Sequence, residues 1–536
     1  MRVPIVLFAA VAALIVAFWW WLGAPVAMPP SPISVGEKLF CVSYAPFRGA
    51  QSPLDTGTHI EPRQIDDDLA RLAKVTDCIR TYSIEHGLDQ VAPLAGKHGL
   101  KVMQGLWLSS HPEKNRVQIE TAIALANRHR DVIRSVVVGN EVLLRGEMAG
   151  MTLAATIRRV KAAVPVPVTY ADVWEFWLRH REVYEAVDFV TIHILPYWED
   201  FPIAAEHAAA HVDSIRSRVV AAFPDKEILL GETGWPSRGR MREGALPSPA
   251  NQARVLHEVL ATAQRANYRV NVIEAFDQPW KRWLEGTVGG HWGLYEDRTR
   301  APKFAWGTAV SDHPAWALQA AGGVAIATIT FLAGWTAART RDALPAWRDW
   351  LLVAVLAGLP GLLIGWAAEK IVLESLGLSG WLRSLCLGLV AVAAPIVVAA
   401  ALMRAVPVPS FTRLLGGAEP RPAEVLSLAL GGVLIVVSAL AVQVALGLVF
   451  DARYKDFPFP VFGCAVLPYL VLALVENRSR RGWAPAETVT AVTLSLCSIY
   501  IMLNEGFANW QAIALVASFI ALAATLLRFA GAPRQG

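Results

Sequence analysis

An α/β barrel followed by an all-α membrane domain is the fold class this sequence predicts, on three observations. Short β-rich runs recur eight times between residues 38 and 310, with helical stretches between them. From Trp316 onward, apolar stretches long enough to cross a bilayer alternate with short Arg-bearing loops. The composition, 54% hydrophobic and 18% charged with a positive mean hydropathy, is that of a chain with membrane segments. Its 536 residues leave room for several domains. The organisation expected is an N-terminal signal anchor over 1–23, a barrel over 24–312 and a transmembrane domain of about seven helices over 313–536.

The first element is the apolar run from Val3 to Leu22, preceded by Arg2 and ending in Trp19-Trp20-Trp21. It is long for a cleaved signal peptide, and its Trp cluster suits a membrane interface, which favours a retained anchor. Either reading exports the residues on its C-terminal side. The eight β-rich runs are LFCVSYAPF, DCIRTYS, KVMQGLWLS, SVVVGNEV, PVTYADVW, FVTIHILPYW, EILLGETGWPS and VNVIEAFDQPW. Helical periodicity marks the stretches between them, as in Gln64 to Val75, Asn115 to His129, Thr152 to Ala163 and Pro249 to Asn267. Eight strands alternating with helices in this length fit a closed (β/α)8, or TIM, barrel better than an open sheet. Seven further spans are expected near 316–337, 349–367, 384–403, 425–450, 458–475, 486–503 and 509–527.

Loop charge orients the spans. With residues 24–312 outside, the inside loops carry Arg339, Arg341, Arg348, Arg404, Arg413, Arg421, Arg478, Arg480, Arg481, Arg528 and Arg534. The outside loops carry only Lys370, Arg383, Arg453 and Lys455, the asymmetry of the positive-inside rule. The barrel is thus expected outside the cytoplasm, in the periplasm or at the cell exterior. The sequon at Asn477 falls on the wrong side for glycosylation. Glu369, Glu374, Asp451 and Glu505 sit at span ends, so the spans read as a multi-span anchor or partner-docking module rather than a transport path.

Barrel enzymes place reacting groups where strands end. Those ends hold Tyr44, Arg80-Thr81-Tyr82, Trp107, Asn140-Glu141, Asp172, Trp174, His193, Tyr197-Trp198, Glu232, Trp235 and Glu274 through Trp280-Lys281. Carboxylates among aromatic and amide side chains make a carbohydrate cleft, because flat rings meet sugar C–H faces while polar groups meet hydroxyls. Glu141 ends the fourth strand and Glu232 the seventh, so a closed barrel sets both at one mouth. Two carboxyls about 5 Å apart retain anomeric configuration through a glycosyl-enzyme. Glu141 is then the acid/base, expected to be protonated at neutral pH through burial, and Glu232 the ionised nucleophile. Asn140 is placed to meet the sugar 2-hydroxyl.

The segments VVVGNEV, LLGETGWPS, VTIHILPYW and IEAFDQPWK, followed by HWGLYEDRTRAPKF, resemble glycoside hydrolase family 17, the β-1,3-glucanase and glucan transglycosylase family. The resemblance spans roughly Leu39 to Phe304. It implies the TIM barrel, the retaining mechanism, Glu141 as acid/base and Glu232 as nucleophile. Sugar-binding roles are implied for Tyr44, Asn140, Tyr197, Trp235 and Lys281, and Trp280 joins them by position. Gln278 stands where family members often carry an acidic residue. The anchored layout resembles bacterial members linked to periplasmic β-(1→3),(1→6)-glucan synthesis.

Arg80 and Glu274 are expected behind the reacting groups, Glu274 being the rival nucleophile. His193 is open between a sugar contact and a satisfied strand histidine. Trp107, Trp174, Trp177 and Trp198 divide between sugar platforms and rim cover. Asp66-Asp67-Asp68 reads as a solvated helix start. Cys41 and Cys78 are expected as two buried thiols, the alternative being a disulfide between aligned strands; Cys386, Cys464 and Cys497 read as packing residues. The sequence has no Gly-rich phosphate loop, no zinc-type Cys/His spacing and no RNA-binding signature, so neither cofactor nor metal nor nucleic acid is expected. The partners expected are a β-glucan and the lipid bilayer, with recruitment of a glucan synthase left open. Three functions stand: a β-1,3-glucan transglycosylase that introduces β-1,6 linkages or branches, a β-1,3-glucan hydrolase, and a non-catalytic glucan-binding scaffold or export component.

Overall fold

The computed structural model of the chain describes residues 2–340, 345–415, 425–476 and 484–530. Arg341, Arg421, Arg478, Arg480, Arg481, Arg534 and the Asn477 sequon lie outside the described residues. Two compact units are present: Met1–Pro25 with Arg240–Glu243 and Ser311–Gly536, and Val26–Gly239 with Gly244–Val310.

The second unit is a closed barrel of parallel strands in chain order: β1 (Cys41–Ser43), β2 (Cys78–Arg80), β3 (Lys101–Leu106), β4 (Ile133–Asn140), β5 (Val168–Val173), β6 (Val190–His193), β7 (Ile228–Thr233) and β8 (Val270–Val272). β1 closes the ring by pairing with β8. Each strand falls on one of the eight expected runs, with β4 starting slightly ahead of its run, at Ile133. The strands are buried on both faces, inside the barrel and under the helices, which is why they read as near-continuous apolar runs.

Helix α1 (Arg2–Leu22) precedes the barrel. Around the strands lie α2 (Pro62–Leu72), α3 (Val91–Lys97), α4 (Pro112–Arg128), α5 (Gly150–Lys161), α6 (Trp174–Arg179), α7 (Arg181–Ala186), α8 (Ala205–Ala222), α9 (Pro249–Arg265) and α10 (Arg282–Gly289). The start of α9 shows how the sequence sets an element. Ser248 accepts a hydrogen bond from the Asn251 amide at 3.1 Å, and Pro249 occupies the first turn, where no amide hydrogen is needed.

Two expectations about the barrel are corrected. Asp68 is not solvated: it shares the inward face of α2 with Ile65, Leu69 and Leu72 and is fully buried. Arg48 at 2.6 Å, Arg300 at 3.5 Å and the Tyr44 hydroxyl at 3.3 Å answer its charge. Cys41 and Cys78 are a disulfide rather than two thiols. Val42 pairs with Ile79 across adjacent strands, so the preceding cysteines face each other with Cα atoms 4.4 Å apart.

The first unit holds α1 with α11 (Trp316–Ala338), α12 (Trp347–Glu374), α13 (Gly377–Arg404), α14 (Phe411–Leu415), α15 (Val425–Phe450), α16 (Phe459–Val475), α17 (Pro485–Glu505) and α18 (Trp510–Phe529). Among the described residues, seven of these helices are long and apolar enough to cross a membrane, and α16 is a shorter apolar helix. Together the eight coincide with the anchor and the seven expected spans. The 28-residue helices α12 and α13 extend well past the expected 349–367 and 384–403. Small residues allow the closest approach: a Cβ on Gly323 would stand 2.2 Å from the Gly361 carbonyl oxygen and 2.7 Å from Ile15. Ile15 and Trp19 of α1 are fully buried, so α1 is a packed member of this bundle.

Candidate active site

The site is built from the ends of β2, β4, β6 and β7. In β4 the register shifts between Val137 and Asn140, and Glu141 just beyond adopts a left-handed φ of 52°. A bulge leading into a strained residue re-aims the adjoining side chains. The Glu141 amide is held by the Ala171 carbonyl at 2.8 Å, and Arg145 reaches back to the Asn140 carbonyl. In β7 the register shift next to Glu232 pairs it directly with His193 of β6. Gly231 makes that pairing fit, since a Cβ there would meet Thr191 at 2.3 Å and the His193 ring at 3.3 Å.

The result is a convergence of three side chains. An oxygen of Glu141, a ring nitrogen of His193 and an oxygen of Glu232 all lie within 4.8 Å of one another. Arg80, fully buried at the end of β2, ties the group together. Its guanidinium donates to the Gly231 carbonyl at 2.8 Å, to Glu232 Oε1 at 3.2 Å and to Asn140 Oδ1 at 2.5 Å. The Tyr82 hydroxyl also lies 2.9 Å from Glu232 Oε1, and burial beside that carboxylate pushes its pKa well up, so it stays a donor. Glu232 is 5% exposed and satisfied on one oxygen by two donors, which orients it.

One electrostatic expectation is overturned. Burial does push Glu141 toward the protonated form, but the His193 hydrogen bond at 2.8 Å and the positive charges of Arg145 and Arg80 outweigh it. Its pKa is lowered from the ordinary carboxylate value, not raised. The raised acid at this mouth is Glu274, pushed by burial to about 7 despite Lys281 Nζ at 2.9 Å. Asp172 is raised by burial to about 6, and both its oxygens accept hydrogen bonds. Glu141, His193 and Glu232 form a donor set that a metal ion could bridge. Arg80, 3.2 Å from Glu232 and 3.3 Å from His193 Nε2, already supplies the positive charge there and opposes a second cation.

The other expected residues fall into two groups. Tyr44, Tyr197 and Trp235 are fully buried. The Tyr44 hydroxyl goes to Asp68, Trp235 Nε1 donates to the Leu246 carbonyl at 3.0 Å, and Tyr197 packs edge-on against Trp198, Trp235 and Trp292. Trp280 and Lys281 are partly exposed. Gln278 spends its amide on the Ala45 carbonyl at 2.9 Å and its oxygen on Trp280 Nε1 at 2.9 Å, so it braces the β8 loop. Trp174 and Trp177 are buried cover, whereas Trp107 and Trp198 keep part of their surface, Trp107 under the Arg145 guanidinium at 4.1 Å. Sequence reasoning passes over Arg145 and Glu285. The four-residue spacing of Lys281 and Glu285 is the signal available for Glu285, whose pKa burial raises.

Residues 41–293 match the family described as the BtgE/BtgC glycoside hydrolase domain. A glucan 1,3-beta-glucosidase of Candida albicans is 26% identical over a 270-residue alignment that covers 46% of this chain and 87% of the relative. The Saccharomyces cerevisiae glucan 1,3-beta-glucosidase is 25% identical over a 263-residue alignment that covers 45% of this chain and 83% of the relative. Among solved structures, a Rhizomucor miehei beta-1,3-glucanosyltransferase active-site mutant in complex with laminaritriose is 25% identical. It covers 50% of this chain and 97% of its own, with a TM-score of 0.45. Residues 41–293 thus match a glycoside hydrolase domain, and the chain is an enzyme of the glycosidase class.

Proposed function

We propose that this chain is a membrane-anchored, retaining β-glucan transglycosylase acting on β-1,3-glucan. The curated relatives support β-1,3-glucan processing. The observation that carries the mechanism is the Glu141 and Glu232 pair, with carboxylate oxygens within 4.8 Å. That spacing favours direct attack by one carboxylate over the wider gap an inverting enzyme needs for water.

In the first step Glu232 Oε bonds to the anomeric carbon as the glycosidic C–O bond breaks, and Glu141 gives its proton to the leaving oxygen. Arg80 and Tyr82 hold Glu232 in the attacking orientation, and Asn140, fixed by Arg80, is turned toward the sugar 2-hydroxyl. In the second step an acceptor hydroxyl loses its proton to Glu141 and displaces Glu232 from the anomeric carbon. Trp280, Trp107 and Trp198 offer partly exposed rings for glucose faces. Tyr44, Tyr197 and Trp235 act from behind, by shaping the floor of the cleft.

Transfer to a sugar 6-hydroxyl would introduce β-1,6 linkages or branches, and an anchored enzyme facing a nascent glucan suits transfer over digestion. The loop charge asymmetry supports an extracytoplasmic barrel, and the Cys41–Cys78 disulfide fits an oxidising compartment such as the periplasm. The helical half serves as the anchor, a reading supported by its apolar helices of membrane-crossing length. A time course of the purified protein on laminari-oligosaccharides tests the reading. Products longer than the substrate are expected; a ladder of shorter products alone would replace transfer by hydrolysis. Methylation linkage analysis of the long products tests for 1,6 bonds.

A further inference from the structure

Branched apolar side chains ordinarily fill the interior of an eight-stranded barrel. Beside the strand that carries Glu232, this barrel instead holds Ser43 of β1 and Asn271 of β8, both fully buried. Burying such groups is unfavourable unless they are hydrogen-bonded. Asn271 Nδ2 donates to Ser43 Oγ at 2.8 Å and to the Gly231 carbonyl at 2.6 Å. Ser43 Oγ lies 2.9 Å from the Tyr82 hydroxyl, which lies 2.9 Å from Glu232 Oε1. A relay of hydrogen bonds thus runs from β8 through β1 and the end of β2 to the carboxylate on β7.

The direction of the relay follows from what each member can give. The Asn271 amide is turned with its NH2 toward both neighbours, because the reverse would set its oxygen against the Gly231 carbonyl oxygen. Ser43 Oγ therefore accepts from Asn271, and its own hydrogen goes to the Tyr82 oxygen. An ionised carboxylate only accepts, so the single phenol hydrogen goes to Glu232. Burial and the neighbouring Glu232 push the Tyr82 pKa well up, which agrees with a hydrogen kept on the phenol. Arg80 stands 4.9 Å over the Tyr82 ring and donates to the same Glu232 oxygen at 3.2 Å. Both donors to Glu232 thus meet Oε1, and among the described residues none meets Oε2.

Building on the nucleophile role assigned to Glu232 above, we propose that Ser43 and Asn271 are positioning residues that commit the Tyr82 hydrogen to Glu232 Oε1 and leave Oε2 as the atom that attacks the anomeric carbon. In the first step an Oε2 lone pair bonds to that carbon, the glycosidic C–O bond breaks, and Glu141 protonates the leaving oxygen. Oε1 becomes the carbonyl oxygen of the ester and keeps its two donors. In the second step the acceptor oxygen bonds to carbon and yields its proton to Glu141. The bond from carbon to Oε2 breaks, and its electron pair returns to the carboxylate. Negative charge builds again on Oε1, where it meets a phenol made a stronger donor by the hydrogen it receives from Ser43.

The full-length protein in detergent, assayed on laminaripentaose, provides the test with Ser43→Ala, Tyr82→Phe and the double variant. Ser43→Ala removes one atom and strands no donor, since Asn271 keeps the Gly231 carbonyl. It should lower kcat and kcat/KM alike, by about tenfold, with KM nearly unchanged. Tyr82→Phe should cost more, about thirtyfold, because it removes a hydrogen bond to a charged group. In the Tyr82→Phe background the Ser43→Ala change should cost nothing further, since Ser43 acts through the phenol. A side chain that merely fills space would cost the same factor in both backgrounds. Equal factors, a raised KM at constant kcat, or wild-type kcat in Ser43→Ala would each overturn the proposal. Glu232→Gln, run alongside, separates the two levels. Wild-type turnover in that variant ends the function assigned to the site; inactivity there, with additive Ser43 and Tyr82 effects, ends the relay alone.

Discussion

The barrel and the helical bundle both bury large apolar surfaces, but they place their buried charges differently. Inside the barrel, Arg80, Asp172, His193, Glu232 and Glu274 are all buried, each hydrogen-bonded or ion-paired to neighbouring residues. Desolvating so many charges is costly, and such clusters persist where chemistry needs them. In the helical half, glycines let helices approach closely, as where Gly323 lies against the Gly361 carbonyl and Ile15. Among the described residues its charged contacts sit near helix ends, as in the Lys370–Glu374 pair at 2.6 Å toward the C-terminal end of α12 and the buried Arg240–Glu505 pair at the end of α17. The difference teaches where to look for each kind of failure: substitutions in the barrel mouth should remove chemistry, and substitutions in the bundle should remove packing.

The comparison can be broken most sharply at Glu232. Glu232→Gln keeps the shape and loses the nucleophile, so turnover on laminari-oligosaccharides should fall about four orders of magnitude with an almost unchanged melting temperature. Intact cellular function in that variant would favour the scaffold reading. Arg80→Met comes next, because it strips a buried charge from Glu232 and from Asn140. A loss of about 3–5 kcal/mol in denaturant unfolding is expected together with loss of turnover. Mutating both Cys41 and Cys78 to Ala opens a cross-link spanning 37 residues. Stability of the barrel should drop by about 3–4 kcal/mol while kinetics well below the melting point hold steady. The smallest effect is expected in the bundle. Gly323→Leu forces a side chain against the Gly361 carbonyl, lowering thermal stability of the helical half by about 1–3 kcal/mol. Barrel kinetics in the same preparation should match wild type, and a matching loss of turnover would erase the distinction between the halves.

Much of this was legible in the chain itself. The eight strands are apolar runs that end in chemistry-bearing residues, and Glu141 and Glu232 stand out because each ends such a run within a family-like motif. The long helices of the second half are legible because each is an apolar run of membrane-crossing length. The features that escaped depend on partners distant in sequence. Asp68 reads as one of three acidic residues at a helix start, and only the helix rotation shows it facing Arg300, 232 residues away. Cys41 and Cys78 become a disulfide through strand register, which a single sequence does not state. The low pKa of Glu141 comes from His193, 52 residues further on, so burial alone pointed the wrong way. Helix lengths erred at α12 and α13 because charged residues, Glu369 and Lys370 in one and Arg383 in the other, interrupt the apolar run before the helix ends.

The central claim is that Glu232 forms a covalent bond to glucose and that the site retains configuration. Incubation with a 2-deoxy-2-fluoro β-glucosyl donor carrying an activated leaving group, then proteolysis and peptide mass spectrometry, tests it directly. The account predicts one fluoroglucosyl adduct on the peptide containing Glu232, discharged by added laminaribiose. An adduct on Glu274, or inverted product with no adduct at all, would contradict it.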